Sequence, residues 1–446
     1  MNALPEVDFD VAVVGAGIAG SITAYQLARK GHSVVLIERG GVPGSKNLSG
    51  GVLYTHTLRE VFPDYLDSAP FERRVVRNQV SFVNAGSHVT LDYGDERLAD
   101  PVNAVTVLRG RFDPWLAQRA EAAGAFLMTG VRVDGLLAEP STDGPAASGE
   151  GPGIRVLGVR AGRDELRAHV VVAADGVNSF LARDAGLRPD PGQDELALGV
   201  KGVFALPREV IEERFALTGD EGLAWALVGD CTRGIAGGAF CYTNRRSLSV
   251  GMVVRLDDLV RRGAHAADVF EHLVHHRVLT PYLAGAELLE YGSHLVAEGG
   301  AAMIGDIATD GLVVVGEAAG LALNTGLTVR GMDLAAGSAV CAAQAIGSAL
   351  QAGDVSRAGL ASYRDLLWDS VVGRDMTTYA RAPAFLQRDR LYRAYGDLAA
   401  GMLADVFRLD GTPRQRLAGI ARRRLKASRL RGREVVADAV AGVRAL

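Results

Sequence analysis

Apolar and polar positions along the chain sort into four kinds of segment. Short, largely apolar runs occupy 9–14 (FDVAVV), 33–37, 168–174 and 311–315. Runs of that length, bounded by turn residues, read as strands buried on both faces of a parallel sheet. Alternating stretches follow a second pattern. Residues 75–93 predict paired strands, and 131–139 with 154–160 predict the arms of a hairpin. Residues 196–256 (LALGVKGVFAL, GLAWALVG, GIAGGAFCYT, SLSVGMVVRL) predict an antiparallel sheet. A helical period marks 21–30, the run FDPWLAQRAEAAGA, 266–276, the small-residue stretch 334–350 and most of the chain after 356. Two stretches have no period. Residues 41–55 (GVPGSKNLSGGVLYT) are glycine-rich and predicted irregular. Residues 140–153, rich in Ser, Gly, Pro and Ala, are predicted to form a mobile loop. No internal repeat is visible. The pattern is that of an α/β chain with an inserted antiparallel sheet and a helical C-terminal region.

Composition changes this picture little. At 446 residues, 48% apolar and 22% charged, the chain is of globular type and large enough for two or three domains. A net charge of −4 gives no signature of nucleic-acid binding. The three cysteines, Cys231, Cys241 and Cys341, make no C-x-x-C pair, whereas an iron–sulfur cluster usually takes four thiolates. They are expected as buried filler, and no metal centre is expected. Low cysteine use fits a reducing cytoplasm. Neither a signal peptide nor a membrane-spanning helix is expected.

The candidate chemistry begins after the first strand. Gly15, Gly17 and Gly20 form G-x-G-x-x-G, a helical run follows, and the second strand ends in Glu38. The first glycine permits a tight turn, the second lets a pyrophosphate approach the backbone, and the third lets helix pack on strand. Free N–H groups and the positive dipole end of the helix, around Ile18 and Ala19, suit phosphates. Glu38, with Arg39 beside it, is placed to bond an adenosine ribose diol.

Four segments together resemble one plan: this fingerprint; Arg109 with Phe112 and Asp113; VVAADGVNS, which carries Asp175 and Gly176; and VVVGEAAGLALNTGLTVRGMD, residues 313–333. They resemble the glutathione-reductase-like FAD proteins of the p-hydroxybenzoate hydroxylase structural class. VPGSKNLSGGVLY, VLRGRFDPWLAQRAEAAGA, YGSHLVAEGG and NTGLTVRGMD further resemble FixC, the flavoprotein subunit of FixABCX. That family is similar to electron-transfer flavoprotein:quinone oxidoreductase and, more distantly, to geranylgeranyl reductases. The resemblance runs from residue 9 to about 350, and KNLSGG and TVRGMD are its most specific parts.

The resemblance implies a Rossmann-like FAD-binding domain of glutathione-reductase type. Its parts would be 1–75, 107–190 and 301–350, with substrate-domain strands at 76–106, a substrate or quinone domain at 191–300 and a helical region at 351–446. It implies FAD as cofactor. Gly15, Gly17, Ile18, Ala19 and Gly20 would hold the pyrophosphate, and Glu38 and Arg39 the adenosine side. Lys46, Ser49, Gly50, Arg109, Val133, Asp175 and Gly176 would lie along the cofactor. Gly316 and Glu317 would meet the ribityl hydroxyls. Gly326 to Gly331, with Gly326, Leu327 and Thr328 as named contacts, would bring backbone N–H groups to the flavin edge and stabilise negative charge on the reduced ring. The implied activity is electron passage from an electron-transfer flavoprotein to a quinone, with a separate ferredoxin-like subunit as further partner. A stand-alone FAD oxidoreductase acting on a small organic substrate is the alternative.

One departure is Gly316-Glu317 where the family usually has Gly-Asp; an extra methylene still reaches a hydroxyl, so FAD is expected to bind. No catalytic base is identified. Ser49, Tyr291 and His294 are the catalytic candidates. Lys46, Asn47 and Ser49 would contact flavin or cap their loop. Tyr291 and His294 would line a pocket or serve structure. Glu298 would orient the following Gly-Gly turn, Trp225 would face the flavin or the core, and Arg330 would offset flavin or partner charge or cap a helix. Residues 414–433 carry nine Arg or Lys and no acid, a composition for anionic lipid, an acidic partner or plain solvation. The expected location is the cytoplasm, or the inner face of the membrane as a peripheral protein.

Overall fold

The computed structural model describes residues 4–47, 50–145, 152–428 and 430–446. A parallel sheet stands at the centre, in the order Leu312–Val314, Asp164–Ala173, Phe9–Val14, Val34–Glu38 and Phe126–Thr129. Val11, Val13, Val35, Leu36, Val170, Val172 and Val313 are fully enclosed. Burial on both faces is what their unbroken apolar runs require. Helices Ile18–Ala28, Arg109–Ala122 and Met332–Ala352 pack together over the sheet. Leu136, Val156 and Val159, from the hairpin Gly135–Pro145 and Pro152–Ala161, join the same core. Met332–Ala352 is long and apolar enough to cross a membrane, but 72% of its most apolar window is buried inside the molecule. It is a core helix, and its Ala and Gly residues permit the close approach.

The second sheet runs Glu287–Ala297, Leu196–Ala205, Ser247–Arg255, Gly237–Thr243, Glu221–Gly229, Phe71–Val83, Ala104–Val107 and Gly51–Tyr54, with His88–Gly94 paired to Phe71–Val83. It is mixed rather than purely antiparallel: Glu221–Gly229 runs parallel to Phe71–Val83. That pairing ties an early strand to the 196–256 block, a long-range contact to which local periodicity is blind. Helices Arg208–Phe215 and Ala266–Val274 cover its back. Ile211, Phe215, Val269, Phe270 and Leu273 there bury Leu223, Trp225, Leu227 and Cys241.

Two expectations for irregular stretches change. Within 41–55, Gly51–Tyr54 is a strand, because Ala104–Val107 supplies an antiparallel partner. Within 140–153, the hairpin arms extend to Pro145 and from Pro152, so regular pairing reaches further than composition suggested. The tip, 146–151, lies outside the described residues.

Candidate functional site

A cavity of about 810 Å³ lies between the carboxyl ends of the parallel strands and the front of the second sheet. Open α/β sheets bind ligands at that end of their strands. Its walls come from Val14 through to Ala335 in sequence, so distant parts of the chain contribute.

At one end is the glycine turn. Gly15 has φ +106°, and a Cβ there would sit 2.4 Å from the Ala174 carbonyl oxygen. At Gly20 a Cβ would meet the Gly15 carbonyl oxygen at 1.9 Å, so this glycine serves packing and does not line the cavity. Gly17 caps the helix with no side-chain bond to its N–H groups, and a Cβ on it would face only Arg109 Nη2, 3.6 Å away. Ile18 and Ala19 line the cavity at the same turn. Glu38 accepts from the backbone N–H groups of Ala16 (3.0 Å) and Gly40 (2.7 Å), so its carboxylate locks the fingerprint turn to the second strand. Arg39, exposed, and Val133 line this end as well.

In the middle, Arg109 donates to Asp113 through Nε (2.6 Å) and Nη2 (2.7 Å). Burial opposes the guanidinium charge, but Asp113 outweighs it and raises the pKa. Asp113 is fully buried and also accepts from Asn47 Nδ2 at 2.6 Å, which fastens the loop before Gly50 to this helix. Lys46, Asn47 and Gly50 line the cavity. Ser49 lies outside the described residues. Asp175 Oδ2 accepts from Leu181 N–H at 3.1 Å, while its Oδ1 is buried without a partner among the described residues; burial raises its pKa. Gly176 follows on the wall. Gly316 is not on the wall: a Cβ there would come within 2.9 Å of Ala19 Cβ, so it lets the fourth segment pack on the fingerprint helix. Glu317 does face the cavity. Burial raises its carboxyl pKa, against the opposing pull of His294, Arg109 and Arg188, and its one bond is a 3.4 Å acceptance from Ala297 N–H.

The far end is the front of the second sheet. Phe240 and Tyr242 stack at 4.6 Å with 16° between their planes. Period-2 alternation puts them forward, and Ala239 and Cys241 in the rear core. Lys201 projects here, its Nζ 5.4 Å from the Phe240 ring centre and donating to the Gly50 carbonyl. Burial, with Arg109 nearby, brings its pKa down to about 7. Glu298 accepts from Asn324 Nδ2 (3.3 Å), and burial raises its pKa to about 7. Sequence reading missed Lys201, a single lysine in an alternating strand; its one signal was a charge among apolar neighbours.

Several expected positions lie off the cavity. Leu327 is 63% exposed, and Gly326 and Thr328 spend their N–H groups inside the 325–328 turn, on Asn324 Oδ1 (2.8 Å) and Thr325 Oγ1 (3.1 Å). Short-range side-chain acceptors took the donors reserved for the flavin edge. Of the same expected stretch 326–331, Val329, Arg330 and Gly331 do line the cavity, with Asn324 and Met332 on either side. Tyr291 and His294, three apart on one strand, point to opposite faces. His294 lines the cavity, whereas Tyr291 is exposed and packs on Phe270 at 5.3 Å. Trp225 is core, donating to Ser81 Oγ at 2.7 Å. Arg330 reaches the wall but is held by Asp333 and Asp375. In 414–433, Arg423 and Arg424 pair with Asp405, and Arg429 lies outside the described residues.

The residues fit FAD. A turn that only glycine can make, an uncapped helix N-terminus, the unpartnered Asp175 Oδ1 and the under-bonded Glu317 all face one elongated cavity. Fold and site together define an FAD-dependent oxidoreductase, and the family of that description, "FAD dependent oxidoreductase", matches residues 10–89. The chain is 44% identical over 408 residues to the probable electron transfer flavoprotein-quinone oxidoreductase YdiS of Escherichia coli, covering 91% of this chain and 92% of that one. To Protein FixC of Escherichia coli it is 41% identical over 406 residues, 91% of each. It belongs to this FixC and electron transfer flavoprotein-quinone oxidoreductase family. Among solved structures, a geranylgeranyl bacteriochlorophyll reductase-like protein from Thermoplasma acidophilum shares the fold, with TM-score 0.69, 20% identity and coverage of 94% and 96%.

Proposed function

We propose that this protein passes electrons from an electron-transfer flavoprotein to a quinone, and that a small ferredoxin-like protein joins the assembly. The observation that carries this reading is the single cavity that joins a dinucleotide cradle to a flat aromatic and cationic wall, in a chain related over 91% of its length to proteins of that name.

When bound, FAD supplies a ring system that accepts and returns electrons. The chain's own residues do the rest. The N–H groups ahead of Ile18 and the Asp113-fixed Arg109 offset phosphate charge. The Phe240–Tyr242 pair offers a stacking face to a planar acceptor. Lys201, poised near neutrality at that face, holds a proton at Nζ for an acceptor oxygen. Glu298, also near neutrality, can take up or release another. Gly50 and the second sheet close the wall and exclude water.

We further propose that the 407–417 face meets lipid. Phe407, Leu409 and Leu417 are 77%, 74% and 67% exposed beside the exposed Arg408, Arg414 and Arg416. Exposed apolar side chains on a stretch richer in cations than acids, with Arg408 facing Asp410 at 3.8 Å, suit an anionic bilayer, where quinones reside.

The test mixes the purified FAD-loaded protein with a reduced electron-transfer flavoprotein pair and a short-chain quinone analogue. Flavin absorbance should show reduction by the former and reoxidation by the latter. A flavin that neither partner touches, but that NAD(P)H reduces with turnover of a small organic substrate, would sink the reading.

A further inference from the structure

We propose that Asp230, His272 and His276 form a zinc site on the helical back of the second sheet, outside the cavity. One ligand atom from each lies within 4.8 Å of the others. Asp230 Oδ2 is 3.3 Å from His272 Nε2 and 3.4 Å from His276 Nε2. Ligands held about 2.0–2.1 Å from zinc at tetrahedral angles stand about 3.3 Å apart. An octahedral magnesium site would bring neighbouring ligands to about 3.0 Å. Two edges therefore match the tetrahedron. Two imidazoles and a carboxylate are a donor set that suits Zn(II) and disfavours Mg(II) and Ca(II).

The second observation concerns the burial of one of these groups. His276 is buried, 6% exposed, and among the described residues its Nε2 faces only the Asp230 carboxylate, at 3.4 Å and without good hydrogen-bond geometry. A buried nitrogen so poorly satisfied has room to gain from a ligand. The fold aims the three groups together. His272 belongs to Ala266–Val274, and His276 lies two residues past the end of that helix, where the chain turns back on its last turn. Asp230 starts the turn after Glu221–Gly229, where Gly229 at φ +120° packs a Cα against the Val83 carbonyl too closely for any Cβ. Asp230 and His272 stay 35% and 28% exposed, which leaves a path for the ion and a water as fourth ligand. Two existing contacts would be exchanged: His272 Nε2 lies 2.8 Å from the Asp230 carbonyl oxygen, and His276 Nδ1 accepts from Val278 N–H at 3.2 Å. The second is at the long end of the range and is the weaker one to give up. Cys231 is not a ligand: it is fully buried, and burial pushes its thiol up to about 12. The ion would tie the rear helix to the strand end and brace the sheet whose front lines the cavity.

The experiment uses tag-free, full-length, FAD-loaded protein, stripped with chelator and titrated with zinc sulfate. After desalting, elemental analysis should find one zinc per chain, unaffected by excess Mg(II). Asp230→Asn, His272→Gln and His276→Gln should each weaken binding by at least about tenfold, with flavin absorbance unchanged. Co(II) in the unmodified protein should give the intense visible bands of a tetrahedral site, a readout that does not depend on how the variants fold. Substoichiometric zinc, full zinc retention in all three variants, or a weak octahedral Co(II) spectrum would each overturn the proposal.

Discussion

Two buried ionisable residues at the far end of the cavity carry opposite pH signatures. Lys201 is brought down to about 7 by burial, so it is the cation whose charge changes in the working range. We expect the pH profile of quinone-analogue reduction to show a limb near 7, absent in Lys201→Met and moved out of range in Lys201→Arg; identical profiles in all three proteins would refute the role. Glu298 is raised to about 7. Its folded form holds a proton that the unfolded form releases above the ordinary carboxyl pKa. Folding stability from this group is therefore full at low pH and falls between about 4.5 and 7. Glu298→Gln should melt like the parent at pH 4 and above it at pH 8. The gain is about 2 kcal/mol, trimmed because the carboxyl faces the cavity. Equal melting temperatures at pH 8 would count against the buried charge. Neither residue's role was legible in sequence: a charge in a strand declares its environment only when the facing wall is known. The positions of Glu38 and Arg109 on the cavity wall were legible, because a fingerprint and a helix start fix their surroundings locally.

At the scale of elements, the buried runs and the fingerprint specified their own structure. Phe9–Val14, Val34–Glu38 and Asp164–Ala173 pair as their apolar runs imply. What local pattern missed depended on a distant partner: Gly51–Tyr54 became a strand because Ala104–Val107 lies beside it, and Phe71–Val83 accepted a parallel neighbour 150 residues on. The 325–328 turn misled for the reverse reason, since its own threonines and Asn324 satisfied donors that the resemblance had assigned to flavin. The first turn gives the sharpest test. Gly15→Ala puts a Cβ 2.4 Å from the Ala174 carbonyl in a left-handed conformation that costs an alanine about 1–2 kcal/mol before any clash. The variant should purify with at least about tenfold less flavin, measured as the ratio of flavin to protein absorbance. Full retention would mean that the turn does not hold the cofactor.

For the whole molecule, charge and exposure separate the two ends. The cavity lies between two sheets, while the exposed Phe407, Leu409 and Leu417 lie in the helical C-terminal region. Co-sedimentation with vesicles containing anionic lipid should fall strongly in Phe407→Asp/Leu409→Asp and weaken with salt, since cations outnumber acids along that stretch. Binding that is indifferent to both would remove lipid from the list of contacts. Folding order follows from the sheet. Its strands come from residues 9–14, 34–38, 126–129, 164–173 and 312–314, and the last wall residue is Ala335. A ribosome must therefore release three quarters of the polypeptide before the nucleotide has anywhere to settle, which makes flavin loading a late event and leaves no amino-terminal fragment that stops short of Ala335 able to colour on its own.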